Sequence, residues 1–273
     1  MFSYLIWLLT ATLYAPVFFT LYRSGWSISD CTHAYFVLPI SCWLVWRKRA
    51  ILRDLIQKAE HRCNFLGLSI LIFGLLMFVF SWRQGYQFIT TLSLVPVLYG
   101  LLRYLYGFHI TKALSFPVFY LVLLAPIPTG ILDTFTLPMR YGVSIGAEAI
   151  LKLFHYPITR EGLLLYIGNS ELFIGQPCSG FRSLITMISL SSVYVYISKS
   201  SLPKKAILIS CIIPLSLLGN LIRIIILCLI TYHFGEEAGQ GFFHTFSGAL
   251  VFLITLLGLI GIEYLLGKVR TTR

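Results

Sequence analysis

The sequence predicts an all-α polytopic membrane protein of about eight transmembrane helices, and three observations predict it. First, the 273 residues are 58% hydrophobic and only 11% charged, with a mean hydropathy of +0.84. A soluble core cannot absorb that much apolar surface. Second, long runs almost free of charge recur along the chain, without the period-two alternation of a barrel strand. Third, the net charge of +11 is distributed by topology. It marks membrane faces and not a nucleic-acid footprint.

Hydrophobic spans fall at roughly 3–22, 31–46, 65–81, 88–102, 113–126, 179–198, 206–232 and 245–266. The first has no basic n-region and is read as a transmembrane helix, not a cleavable leader. The second ends in Trp43 and Trp46 and then Arg47-Lys48-Arg49, an aromatic belt followed by a basic exit. Gaps 47–64, 103–112 and 199–205 and the tail carry fourteen of the 21 Lys and Arg. The alternate gaps carry Arg23, Arg83, Arg140, Lys152 and Arg160, and seven of the ten acids. The positive-inside rule then puts both termini in the cytoplasm.

The chain reads as one transmembrane domain in three parts: five helices over 1–126, an extracytoplasmic segment over 127–178, and three helices over 179–273. Pro126, Pro128 and Gly130 open the middle part. Residues 131–155 form an amphipathic helix with Leu132, Phe135, Val143, Ala147, Ile150, Leu151 and Phe154 on a broad apolar face. Asp133, Arg140, Glu148 and Lys152 stay wet, and Pro138 kinks or interrupts it. Such a helix lies on the membrane surface. Residues 163–167 and 171–174 then read as two short strands around Gly168-Asn169-Ser170, a β-hairpin-like segment leading to Cys178.

Cys178 lies in Gln176-Pro177-Cys178-Ser179-Gly180-Phe181-Arg182, where this segment meets a membrane helix. Two other polar residues, Arg223 and His244, occur in the next two spans. Counted from the cytoplasmic boundaries at about 1.5 Å per residue, Cys178, Arg223 and His244 lie roughly 30, 27 and 33 Å away. The hydrocarbon core is about 30 Å thick, so all three fall at its outer edge. A helix dipole and Arg182 one turn on lower a thiol pKa. Ser179 is an N-cap candidate, Gly180 permits close backbone approach, and the amides there suit an oxyanion hole. The same cysteine could instead be buried, or paired with Cys31. Arg223 shares a helix face with Asn220 and suits a substrate carbonyl or an oxyanion; the other reading is snorkelling or a structural ion pair. His244 suits proton transfer, with His233 and His33 as rivals.

Cys42, Cys211 and Cys228 read as small buried hydrophobes. No Cys or His spacing points to a metal, and no cofactor is expected. One tension stands. Beyond Arg223 the run to Tyr232 stays apolar, so either the helix is long and tilted, bent near Pro214 or Gly219, or segment 127–178 roofs its end.

These residues resemble the exosortase/archaeosortase family of multipass membrane transpeptidases. The match is Cys178-Ser179-Gly180 before a helix, Asn220-Leu221-Ile222-Arg223 in the next, and His244 opening the following one. His33-Ala34-Tyr35-Phe36-Val37-Leu38-Pro39 is similar to the family's early His-containing helix, with Ala34 where many members carry Gly. Nothing in the sequence matches the extra domain that some members append. The resemblance implies a bacterial exosortase of the PEP-CTERM type, in the inner membrane with its active site facing the periplasm. It implies substrates with a C-terminal Pro-Glu-Pro-like motif, a transmembrane helix and a basic tail. It implies Cys178 as nucleophile, with Arg223 and His244 catalytic and Arg182, Asn220, Ser179 and Gly180 supporting. The acceptor would be an amine, or a lipid or polysaccharide at the surface. Three rivals differ in chemistry: a purely hydrolytic cysteine peptidase, a transporter or exopolysaccharide-assembly subunit, and a lipid-linked acyltransferase.

Overall fold

A computed structural model describes residues 2–26, 34–57, 64–168, 170–173, 181–235, 237 and 242–268. The chain separates into two compact units, Met1–Thr129 and Gly130–Arg273.

In the first unit, α1 (Phe2–Thr20) runs into a π-helical turn, Leu21–Gly25. Helix α2 is Ala34–Arg47, α3 is Arg49–Gln57, α4 is Phe65–Gln84 and α5 is Gln87–Leu92. The helical stretch Leu94–Tyr120 breaks at Gly107, whose φ of 79° and ψ of −172° are open to glycine and strained for other residues. We call its limbs α6 (94–106) and α7 (108–120). They fold back on each other: the rings of Tyr99 and Phe119 lie 5.6 Å apart, where a straight helix would separate them by about 30 Å. The fold-back matches the expected gap between the spans at 88–102 and 113–126.

Helices α4 and α6 pack closely because glycines face their backbones. A methyl on Gly100 would fall 2.4 Å from the Leu71 amide nitrogen, and one on Gly74 would fall 2.8 Å from that of Val97. Small residues allow this approach where apolar burial drives no association. Helix α2 runs along α7, with the Ser41 hydroxyl donating to the Pro117 carbonyl at 2.9 Å.

The second unit begins with α8 (Thr129–Leu153) and a three-stranded antiparallel sheet of β1 (Ile158–Glu161), β2 (Leu164–Ile167) and β3 (Ser170–Phe173). Two-residue loops join the strands, with Gly162 and Gly168 at φ of 63° and 59°, the positive φ that tight hairpin turns need. The sequence predicts only the second hairpin. Strand β1 carries Arg160 and Glu161 and lacks a hydrophobic run, but its pairing of Ile158 with Ile167 completes the buried face. Helix α8 continues through Pro138 without interruption.

Helices α9 (Phe181–Ile197), α10 (Leu202–Phe234) and α11 (Phe242–Lys268) complete the unit and pack on one another. Among the described residues, four stretches are long and apolar enough to cross a membrane: Ser3–Arg23, Phe65–Gln84, Gln87–Leu124 and Leu202–Phe234. Shorter apolar helices occupy Ala34–Arg47, Ile188–Ile197 and Leu253–Gly267. The protein is an all-α polytopic membrane fold with one small sheet.

A candidate active site under an extramembrane roof

Helix α10 has 33 residues, about 50 Å at helical rise, so it outruns a hydrocarbon core of about 30 Å. The α8–sheet segment accounts for the excess. Val143, Ala147 and Leu151 of α8, together with Ile158, Leu165, Ile167 and Leu172 of the sheet, bury Ile224, Leu227 and Cys228 of α10. Further along, Tyr156 meets Tyr232 edge-on at 5.5 Å. Of the two resolutions left open by the sequence, the roof is therefore observed.

The roof corrects two assignments on α8. Arg140 is not wet but buried, at 6% exposure. It shares a face with Ser144, Ala147 and Leu151, at helical spacing, and that face carries the packing against α10. Phe154 is exposed rather than part of that face. It joins a second apolar stripe of Leu137, Tyr141, Ile145 and Leu153, all exposed, as a helix lying against lipid requires. Glu148 stays at the surface and accepts from Lys152 at 2.8 Å and Arg160 at 3.1 Å. The Lys152 hydrogen bond, and secondarily Arg160, hold its carboxyl below the usual range.

Arg223 and Asn220 lie one turn apart on α10, at the inner margin of the roofed stretch. Both are buried, at 6% and 4% exposure. Among the described residues the Asn220 Oδ1 has no hydrogen-bond partner, so it accepts no hydrogen bond from Arg223. A buried cation and a buried unsatisfied acceptor are each costly in an apolar bundle. In the same unit Leu221 packs toward Gly146 of α8, where a methyl would fall 3.3 Å from Leu Cδ1.

The other site residues are placed less completely. Cys178, Ser179 and Gly180 lie outside the described residues. Arg182 stands in the first turn of α9 and His244 in the first turn of α11; for these two only the backbone is described. Contacts between helices still set their depth. A methyl on Gly258 of α11 would meet Leu215 of α10 at 2.9 Å, and Tyr194 of α9 bonds Glu263 of α11. Counted outward from these contacts at about 1.5 Å per residue, Arg182 and Arg223 fall within a few Å of one depth, and His244 stands about 9 Å farther out. His233, the rival histidine, is exposed on the last turn of α10, beside Tyr156 and Tyr232, about 15 Å beyond Arg223. His33 lies outside the described residues.

Of the other cysteines, Cys228 is buried in the roofed core as expected, while Cys42 is exposed and Cys211 half-buried on their helices. Cys31 and Cys63 lie outside the described residues.

No curated protein and no solved structure matches the chain. The model of the transmembrane exosortase family matches residues 26–261. That span begins after α1 and takes in α2 to α10, the roof and most of α11. Family membership supports a membrane transpeptidase-type function, and the chain belongs to the transmembrane exosortases.

Proposed function

We propose that the protein is a cysteine transpeptidase of the bacterial inner membrane, with both termini cytoplasmic and its active site facing the periplasm. It cleaves a C-terminal sorting signal, a Pro-Glu-Pro-like motif followed by a membrane helix and a basic tail. The observation that carries the reading is the pair Asn220 and Arg223, buried in α10 where the roof meets the bundle. Polar groups kept at that cost inside a membrane protein are functional by default.

The Cys178 thiolate attacks the carbonyl carbon of the scissile peptide. Arg223 faces the oxyanion that forms, and Arg182, at the same depth, adds positive potential. Collapse of this intermediate breaks the C–N bond, and His244 gives the leaving nitrogen its proton. The acyl group is then a thioester on Cys178. An amine acceptor attacks the thioester and gives its proton to the now neutral His244. The C–S bond breaks, which restores the thiolate and leaves the protein joined to a surface molecule. Asn220 Oδ1 is suited to receive a substrate N–H, since no described residue donates to it. Ser179 and Gly180 supply the backbone amides near the thiolate. The roof keeps water from the thioester, which favours transfer over hydrolysis.

The test is co-expression with a tagged protein ending in such a signal. Wild type should remove the tail, and Cys178→Ala and His244→Ala should not. Mass spectrometry of the new C-terminus separates transfer from hydrolysis. Equal processing by wild type and Cys178→Ala would end the proposal.

A further inference from the structure

A second constellation lies in the first unit, where α6 turns into α7. Arg103 is on the last turn of α6, and its guanidinium carbon sits 4.6 Å from the centre of the Phe108 ring. Its Nε and Nη1 are buried, and neither has a hydrogen-bond partner among the described residues. Lys112 approaches the same ring, with Nζ 5.8 Å from the centroid. Lys48, from the end of α2, donates to the carbonyl of Ala113, the residue after Lys112, at 2.5 Å. The turn at Gly107 makes the cluster, because a straight helix would carry Lys112 away from Arg103. Three cations from two separate stretches of chain thus gather at one corner.

Like charges gathered around one ring repel, and two buried guanidinium N–H groups without acceptors cost stability. A phosphate at the guanidinium edge that Nε and Nη1 leave open answers the repulsion: it brings opposite charge to Arg103 and to both lysines. The surroundings specify the carrier of that phosphate. Gly67 of α4 packs on the Arg103 side chain, where a methyl would fall 3.0 Å from Cγ. The two residues before it, Phe65 and Leu66, are 82% and 58% exposed. Charged phosphate ligands beside bare apolar side chains fit a headgroup with acyl chains below it. This corner also lies at the end of the helices that the charge pattern assigns to the cytoplasm, where anionic lipids concentrate.

We propose that the α6–α7 turn holds an anionic phospholipid of the inner leaflet, its phosphate on Arg103, Lys112 and Lys48. The test uses purified full-length protein in detergent, titrated with phosphatidylglycerol, phosphatidylcholine or inorganic phosphate. Native mass spectrometry reads bound lipid, and thermal unfolding reads the linked stabilisation. Phosphatidylglycerol should bind in preference to phosphatidylcholine and raise the unfolding midpoint. Arg103→Gln should weaken it about tenfold or more, as loss of a charge-assisted pair does, and Lys112→Gln about threefold. Lys199→Gln, an exposed lysine of the second unit, should leave it unchanged. Lys112 is exposed, so its variant gives a reading even where Arg103→Gln fails to fold. The proposal is overturned if folded Lys112→Gln binds phosphatidylglycerol like wild type or if Lys199→Gln loses as much. Equal binding of the two lipids, or the same stabilisation by inorganic phosphate alone, would also overturn it.

Discussion

The two ends of the second unit treat charge in opposite ways, one half-buried and one buried. At one end Glu263 of α11 accepts from the hydroxyls of Tyr194, Ser198 and Ser200, from α9 and the turn that follows it. Three donors close around one carboxylate, and the group ties two helices together. At the other end Arg223 is buried beside Asn220, whose oxygen has no donor among the described residues. The Glu263 carboxylate is engaged by the protein's own hydroxyls. The Asn220 oxygen is not, and that open acceptor is what the proposed substrate contact uses. A polar group inside a membrane bundle is therefore judged by its satisfaction as well as its burial.

Substitutions at the two ends should separate accordingly. Arg223→Ala carries the largest expected effect: signal cleavage should fall about 10²- to 10³-fold, as for loss of an oxyanion donor, in a protein that still purifies folded. Arg223→Lys should recover little, because a point charge does not replace the guanidinium fork. Glu263→Ala should do the reverse. It removes the acceptor of three part-buried hydroxyls, so unfolding should become easier by about 1 kcal/mol while turnover of the folded fraction stays within about twofold. A thermal melt run beside the cleavage assay reads both. Loss of cleavage in folded Glu263→Ala, or loss of fold in Arg223→Ala with normal residual turnover, would break the comparison.

Asn220→Ala sharpens it. If the oxygen serves substrate, the rate should drop about tenfold with the melting midpoint held or raised, since an unsatisfied buried acceptor is removed. A lowered midpoint with an unchanged rate would assign Asn220 to packing. The smallest effect concerns the roof's surface. Glu148 has a depressed carboxyl pKa, so its ion pairs stabilise above the ordinary carboxylate range, and that stability is lost as pH falls through the folded value. Glu148→Gln should cost only a few tenths of a kcal/mol near neutrality and flatten the acid limb of a pH–stability curve.

The sequence made the helices legible because lipid leaves the backbone few options: each apolar span expected from hydropathy coincides with helix in the described residues. It also singled out Asn220 and Arg223 as polar residues in an apolar run, and both are buried in α10. What it could not show depends on tertiary partners. Arg140 looked wet because the periodicity of α8 supports two apolar stripes, and only the packing of Val143, Ala147 and Leu151 on α10 says which stripe is inward. Strand β1 is absent from the expected strands, because Arg160 and Glu161 leave only Ile158 to mark the face that the core buries. The corner at Gly107 brings Arg103 and Lys112 to one ring, a juxtaposition no linear reading of a basic gap contains.

The most direct measurement is of the covalent intermediate. Enzyme and a signal-bearing substrate would be mixed, quenched in acid and analysed by intact mass and peptide mapping. The wild type should carry a hydroxylamine-sensitive acyl adduct on Cys178, absent in Cys178→Ala. Cleavage of the same substrate by Cys178→Ala at the wild-type rate, with no adduct on any cysteine, would contradict it.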